Sequence, residues 1–150
     1  LSDIVNEAIV LTNAKARRHA TQVKLDFKSD GQILCDEIEI EQVMVNLINN
    51  AIDAIQTLND RWVTIQIEEN QKNIYLRVRD SGPRISSEIE MRLFEPFFTT
   101  KPIGKGTGLG LSITKGILDE HYATIEVVAG DNHSCFEICF AKVAAVKNET

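Results

Sequence analysis

Apolar positions recur along this chain with two different periods. Ile4, Ala8, Leu11 and Ala14 return at helical steps, which predicts an amphipathic helix over residues 2 to 20 with Ser2 or Asp3 as its cap. Val23, Leu25 and Phe27 then alternate as a short strand. Asp30-Gly31 reads as a turn and Ile33 to Cys35 as a second short strand. Asp36 offers the next helix a cap, with Glu39 as its capping-box partner, and the helical pattern runs from Glu37 to Leu58. Alternation returns in Trp62 to Glu68 and Ile74 to Arg79, joined by a turn around Asn70 to Asn73. Residues 80 to 110 hold five of the eight Gly and all three Pro, and read as irregular apart from a short helix over Ser87 to Phe94. Leu111 to His121 is helical; Thr124 to Ala129 and Cys135 to Phe140 are strands before a polar tail over 141–150. Strands that fall in late hairpin pairs predict an α+β fold, a two-layer sandwich with helices on one face of the sheet.

The long helix carries an unusual polar stripe. At about 100° per residue, Ile40, Val43, Met44, Leu47, Ala51, Ala54, Ile55 and Leu58 cover a broad core-facing arc, which Val45, Ile48 and Ile52 extend. Gln42, Asn46, Asn50 and Asp53 fall together on the narrow arc that remains. A solvated face normally carries Lys and Glu, which are better helix formers than Asn. Amides on a half-buried arc need partners. Two readings stay open: bonding to a neighbouring loop, or carbonyl oxygens set for Mg²⁺ and the phosphates it carries.

Two further stretches bear on chemistry. RVRDSGPRI, residues 77–85, runs off a strand into a turn in which Asp80 only accepts hydrogen bonds and Gly82 frees the backbone. Such a carboxylate suits an exocyclic amine such as that of adenine, and an ordinary turn remains the other reading. Gly104, Gly106, Gly108 and Gly110 occupy alternate positions just before a helix start. Glycines there expose N–H groups that bind phosphate, and Lys101 and Lys105 add charge. The spacing is neither a P-loop nor a dinucleotide fingerprint, and a plain mobile surface loop is the alternative.

Composition narrows the classes. With 150 residues, 43% hydrophobic and 25% charged, the chain is long enough for one domain with a sizeable core, 1–150. Net charge is −6 with signs interspersed, which argues against nucleic acid or an anionic membrane as partner. No apolar run approaches the roughly 18 residues of a membrane span, and nothing reads as a secretory signal. Cys35, Cys135 and Cys139 lack metal-ligand spacing and read as reduced core residues of a cytoplasmic protein. The chain opens inside a helical pattern, as a fragment of a larger protein would.

Taken in order, these stretches resemble the ATP-binding catalytic domain of bacterial sensor histidine kinases, within the ATPase family that includes gyrase B, Hsp90 and MutL. QVMVNLINNAIDAI resembles the N box, DSGPRI the first glycine box, LFEPFFTTK the F box and GKGTGLGLS the second glycine box. The wording NAIDA and PFFTTK is most similar to the nitrogen-regulation type. The resemblance implies a Bergerat fold with a mixed, mostly antiparallel sheet and a glycine-rich ATP lid. It implies ATP and Mg²⁺ as ligands, with Asn50 on the metal and Asn46 where hydrolytic relatives place a glutamate. Asp80 and Gly82 then take adenine, and Lys101 reaches the γ-phosphate. Asp53, Ile85, Phe97, Thr99, Thr100, Gly106, Thr107, Gly108, Leu109, Gly110 and Leu111 complete the nucleotide site. Catalytic roles fall to Asn46 and Lys101.

The implied reaction passes the γ-phosphoryl group to a histidine on the adjoining dimerisation domain, which in turn serves a response regulator. His19, His121 and His133 lack the acceptor context, so the acceptor is expected before Leu1, in a parent protein that membranes can anchor. The fragment itself is expected to be monomeric. A regulatory nucleotide-binding module without kinase activity, and a related ATPase or protein-serine kinase of this fold, are the competing readings. Departures from the family pattern are Arg84 in place of the second glycine of DSGPRI, the reduced late motif AGDNHSCF, and Ala123 in a usual glycine place. If the backbone at Arg84 is left-handed, that side chain is strained there.

Overall fold

Alternating strands Trp62–Glu69 (β2) and Asn73–Pro83 (β3) form the centre of a five-stranded sheet in the computed structural model. The structure describes residues 1–101, 106, 108–129 and 132–142. Gln22–Phe27 (β1), Thr124–Val127 (β4) and His133–Ala141 (β5) complete the sheet in the order β1-β2-β3-β5-β4. β1 runs parallel to β2, and the other three pairings are antiparallel. The sheet is thus mixed and mostly antiparallel. Val63, Ile65, Ile67, Ile74, Leu76, Val78 and Ile138 are buried on its inner face. The opposite face is half-buried and polar, and Arg77 there bridges Glu68 and Glu137 at 2.9 and 2.7 Å.

Three longer segments form the helical layer: Ser2–Arg18 (α1), Glu37–Ala54 (α2) and, later, a helix over Gly110–Glu120. The short helix Ser87–Glu90 (α3) lies between them in sequence, so the Gly110–Glu120 helix is α4. Ile40, Met44, Ile48 and Ile52 bury the inner side of α2, and Leu118 does the same for α4. Among the described residues no helix is long and apolar enough to cross a membrane.

Several local expectations shift. α1 is capped by Leu1 without a side-chain bond, so neither Ser2 nor Asp3 serves. The Leu1 ammonium instead donates to Gly31 O at 2.9 Å. The buried stripe of α1 is Ile4, Val5, Ala8, Thr12 and Ala16, while Leu11 is 62% exposed and Ala14 is exposed. Thr12 tolerates burial because its hydroxyl donates to Ala8 O at 2.9 Å within the helix. Ile33 to Cys35 is no strand; its side chains alternate between half-buried and exposed, but no ladder pairs it. α2 ends at Ala54 rather than Leu58, and Ala54 is exposed. α3 stops at Glu90, short of Phe94.

The cap of α2 is half of what the capping box predicts. Asp36 Oδ1 accepts from Glu39 N at 3.1 Å, but the Asp36 N–H donates to His121 Nε2 at 3.0 Å. His121 Nδ1 sits 2.8 Å from Ile117 O, so a neutral ring protonated on Nδ1 satisfies both contacts. The end of α4 is thereby fastened to the start of α2.

α1 and α4 both end on a left-handed residue, Ala20 (φ 50°) and Tyr122 (φ 55°). Thr21 N donates back to Ala16 O and Ala123 N to Leu118 O, the Schellman pattern. The left-handed position after α4 is therefore Tyr122, and Ala123 packs in the core at 4% exposure. Arg84 has no positive φ, so the strain expected there is absent. Cys35, Cys135 and Cys139 are free thiols; Cys135 is buried and the other two are half-buried.

Candidate functional site

A cleft of about 1080 Å³ opens between α2, the end of β3, the segment after it and the start of α4. The register of β3 against β5 slips between Arg79 and Pro83: Arg79 pairs Cys135 and Pro83 pairs His133. Four steps on one strand thus face two on the other, a bulge of the kind that re-aims side chains beside binding sites. Asp80 faces inward by the ordinary alternation of β3, in line with Ile74, Leu76 and Val78, and is only 4% exposed. Gly82 N donates to Asp80 Oδ1 at 2.8 Å, and the Ser134 hydroxyl also bonds the carboxylate.

Burial pushes the Asp80 carboxyl up to about 6, although the Gly82 N–H, the Ser134 hydroxyl and the nearby His133 all pull the other way. Val78, Leu47 and Phe136 supply apolar walls around it. The result is an apolar-walled slot with a carboxylate at its floor. Such a slot fits a flat ring bearing an amine.

The other end of the cleft is charged. Asn46, Asn50 and Asp53, three of the four residues of the polar stripe, line it together. Asn46 Nδ2 lies 3.5 Å from Gly110 O and 3.4 Å from Thr114 Oγ1, holding α2 to α4. Asp53 is the hub. Lys101 Nζ donates to Asp53 Oδ2 at 2.6 Å and lies 3.4 Å from Asn50 Oδ1. Lys15 Nζ meets Asp53 Oδ1 at 2.6 Å. Burial works to raise the Asp53 pKa, but bonds from Lys101 and Lys15 outweigh it and hold the carboxyl below its ordinary value. An ammonium group thus already stands between the two oxygen donors, Asn50 and Asp53. Hard oxygens that cradle a cation beside a glycine segment are the donor set that a Mg²⁺-bound phosphate requires.

Thr99, Thr100 and Lys101 line the hinge side of the cleft, Gly106, Gly108, Gly110 and Leu111 the far side, and Ile85 the rim. A Cβ on Gly106 would stand 2.9 Å from both Lys101 Cδ and Thr99 Oγ1, so those side chains would have to shift to admit one. Phe97 and Leu109 do not line the cleft. Phe97 is 75% exposed and has φ +67°, and its N–H donates to Gly108 O at 2.8 Å. It fastens the two roots of the glycine segment through the backbone. Leu109 caps α4, its carbonyl accepting from Ile113 N and Ser112 Oγ. Thr107, with Gly104 and Lys105, lies outside the described residues.

Sequence reasoning passed over two polar residues that matter here. Ser134 sits in the late motif that had looked merely glycine-poor, yet strand alternation alone places it inward, with Phe136 and Ile138. Lys15 belongs to α1, far away in sequence, and no local pattern points from it to Asp53. Leu93 and Phe98 form an apolar rim, and Arg84, itself exposed, lines the same opening.

Residues 35–144 match the sequence profile of the histidine kinase-, DNA gyrase B- and HSP90-like ATPases. The chain is 35% identical over 143 residues to the C4-dicarboxylate transport sensor protein DctB of Rhizobium meliloti, covering 95% of this chain and 23% of that protein. It is 32% identical to sporulation kinase A of Bacillus subtilis, again over 95% of this chain and 23% of the relative. The chain thus spans about a quarter of the length of these relatives. The catalytic domain of histidine kinase ThkA, solved nucleotide-free, superposes with a TM-score of 0.81 at 34% identity, covering 95% of this chain and 94% of that one. ThkA in complex with the response regulator protein TrrA superposes with a TM-score of 0.80 at 29% identity, over 95% of this chain and 40% of that one.

Proposed function

The chain belongs to the family of histidine kinase-, DNA gyrase B- and HSP90-like ATPases, and on that premise we propose that it is the catalytic domain of a sensor histidine kinase. It binds ATP with Mg²⁺ and donates the γ-phosphoryl group to a histidine of a separate dimerisation domain. The observation that carries this reading is the pairing, in one cleft, of a buried acceptor slot at Asp80 with a charged end built from Asn50, Asp53 and Lys101.

Adenine enters the slot, its amine donating to Asp80, and the phosphates extend toward α2 and the glycine segment. Asn50 is the side chain that would hold Mg²⁺, with Asp53 beside it. The ion, when bound, supplies positive charge that offsets the charge on the phosphate oxygens. Lys101 binds the terminal phosphate, and the backbone N–H groups of Gly106, Gly108, Gly110 and Leu111 orient it. Asn46 holds α4 against α2 and presents an amide where a hydrolytic enzyme needs a carboxylate. The described acids that line the cleft are Asp53 and Asp80, and both are already engaged, one by lysines and one by Gly82 and Ser134. Among the described residues water is therefore left without a general base, which favours transfer over hydrolysis.

Both ring nitrogens of His121 are engaged, and His133 Nδ1 sits 3.3 Å from Gly82 O. These contacts, with the sequence context of His19, His121 and His133, lead the reading to assign the acceptor to another domain. A response regulator is the onward partner, by analogy with ThkA and TrrA. A nitrogen-regulation subtype, on the wording NAIDA and PFFTTK, and a cytoplasmic location complete the proposal, as does a single monomeric domain over 1–150. Calorimetric titration with a non-hydrolysable ATP analogue and Mg²⁺, set against the GTP analogue, tests it. ATP should bind far more tightly, because guanine presents a carbonyl to Asp80 and leaves two acceptors facing each other. Equal affinities would overturn the assignment.

A further inference from the structure

Asp53 carries one negative charge and meets two ammonium groups, one on each oxygen. Lys101 reaches Oδ2 from the hinge of the glycine segment, and Lys15 reaches Oδ1 from α1, both at 2.6 Å. Gln56 Nε2 adds a neutral donor to Oδ1 at 3.0 Å. The three charged side chains are only 19–32% exposed, so water screens them in part.

The two lysines differ in what else they touch. Lys101 lines the cleft and is within 3.4 Å of Asn50 Oδ1, whereas no residue of α1 is among the described residues lining the cleft. One lysine would be enough to neutralise the carboxylate. The second matters when the first departs. If Lys101 swings to a phosphate, Asp53 without Lys15 would keep only the neutral Gln56 donor among its side-chain partners, a half-buried carboxylate beside polyphosphate that is penalised by both desolvation and repulsion. With Lys15 in place, the carboxylate keeps a counter-ion throughout.

We infer that Lys15 is a positioning residue for phosphate binding: it remains on Asp53 as a resident counter-ion, so that Lys101 can exchange from Asp53 to the terminal phosphate. The inference rests on the reading of the cleft as a triphosphate site. Lys15 acts through Asp53 and touches no nucleotide itself.

The test is a titration of the 150-residue chain with ATP and, separately, with adenosine, for wild type, K15M, K15R, D53N and K15M/D53N. K15M should weaken ATP roughly fivefold, the scale of one partly screened ion pair. Adenosine should bind K15M as it binds wild type, and K15R should restore ATP affinity. In the D53N background, loss of Lys15 should leave ATP affinity unchanged. An ATP loss of equal size with and without Asp53 would make Lys15 a direct phosphate ligand and overturn the inference. So would an equal loss for adenosine, or no loss at all. Side-chain nitrogen NMR of the nucleotide-free protein gives a second readout: in K15M the Lys101 ammonium signal should move and its hydrogen exchange should slow, and an unmoved signal contradicts the sharing. A wild-type chain that binds neither ligand fails the reading of the cleft itself; a wild type that binds, with an inert K15M, fails only the role of Lys15.

Discussion

Gly82 gives its N–H to Asp80 Oδ1 at 2.8 Å, and a Cβ placed on Gly82 would stand 2.7 Å from that same oxygen. The glycine both holds the carboxylate and leaves it room. Gly82→Ala should therefore displace Asp80 from its slot at a cost of about 1–3 kcal/mol, the usual range for overpacking a dense site. Nucleotide affinity and thermal stability should fall together, which calorimetry and a melting curve will read.

The raised Asp80 carboxyl makes two opposite predictions about pH. Its folded pKa of about 6 lies above the ordinary 3.8. Its stability contribution is therefore fully present below about pH 4 and is lost as pH rises through about 6, to the extent of roughly 3 kcal/mol. Binding runs the other way, because the ionised carboxylate is the better acceptor for the adenine amine. Adenosine, which carries no titrating phosphate, should bind more tightly as pH rises through about 6. Asp80→Asn should flatten both profiles, as urea unfolding and adenosine titration from about pH 4 to 7.5 will show.

Gly108 has φ +70°, and a Cβ there would lie 2.3 Å from the carbonyl carbon of Phe97. Backbone, unlike a side-chain tip, cannot swing aside. Gly108→Ala should break the Phe97 N–H to Gly108 O bond and splay the roots of the glycine segment, costing on the order of 1–3 kcal/mol. A lowered ATP affinity with the adenosine affinity retained is the expected signature.

How much of this was legible beforehand depended on the range of the interaction. The polar stripe of α2 follows from helical geometry alone, and Asn46, Asn50 and Asp53 do line one cleft. The Asp36 cap was legible for the same reason, since its partner lies three residues away. Its other half was not, because His121 arrives from 85 residues further on. Lys15 was hidden in the same way, and so was the phase of α1, which turns on Thr12 satisfying its hydroxyl within the helix. Ile33 to Cys35 has the alternation of a strand but no neighbour to pair with, and alternation cannot report a missing neighbour. Ser134 was overlooked for a different reason: the late motif was read for the glycines it lacks rather than for the hydroxyl it holds.

Asn50 Oδ1 accepts from Lys101 at 3.4 Å, so its amide oxygen already faces a cation. Asn50→Ala should leave the fold intact and cut the Mg²⁺-dependent part of ATP affinity by roughly tenfold, about 1.4 kcal/mol. Titrations with and without Mg²⁺ should converge in the variant. A preserved Mg²⁺ dependence would place the metal elsewhere.

The central claim is that this chain holds ATP for transfer to a histidine it does not itself supply. Incubation with γ-labelled ATP and Mg²⁺ tests it most directly, first with the chain alone and then with the histidine-bearing helical hairpin added as a separate piece. The account predicts slow hydrolysis and no label on the chain by itself, and acid-labile label on the histidine of the hairpin once both are present. Acid-labile phosphate on the 150-residue chain alone, or an unlabelled hairpin beside a chain shown to bind ATP, would contradict it.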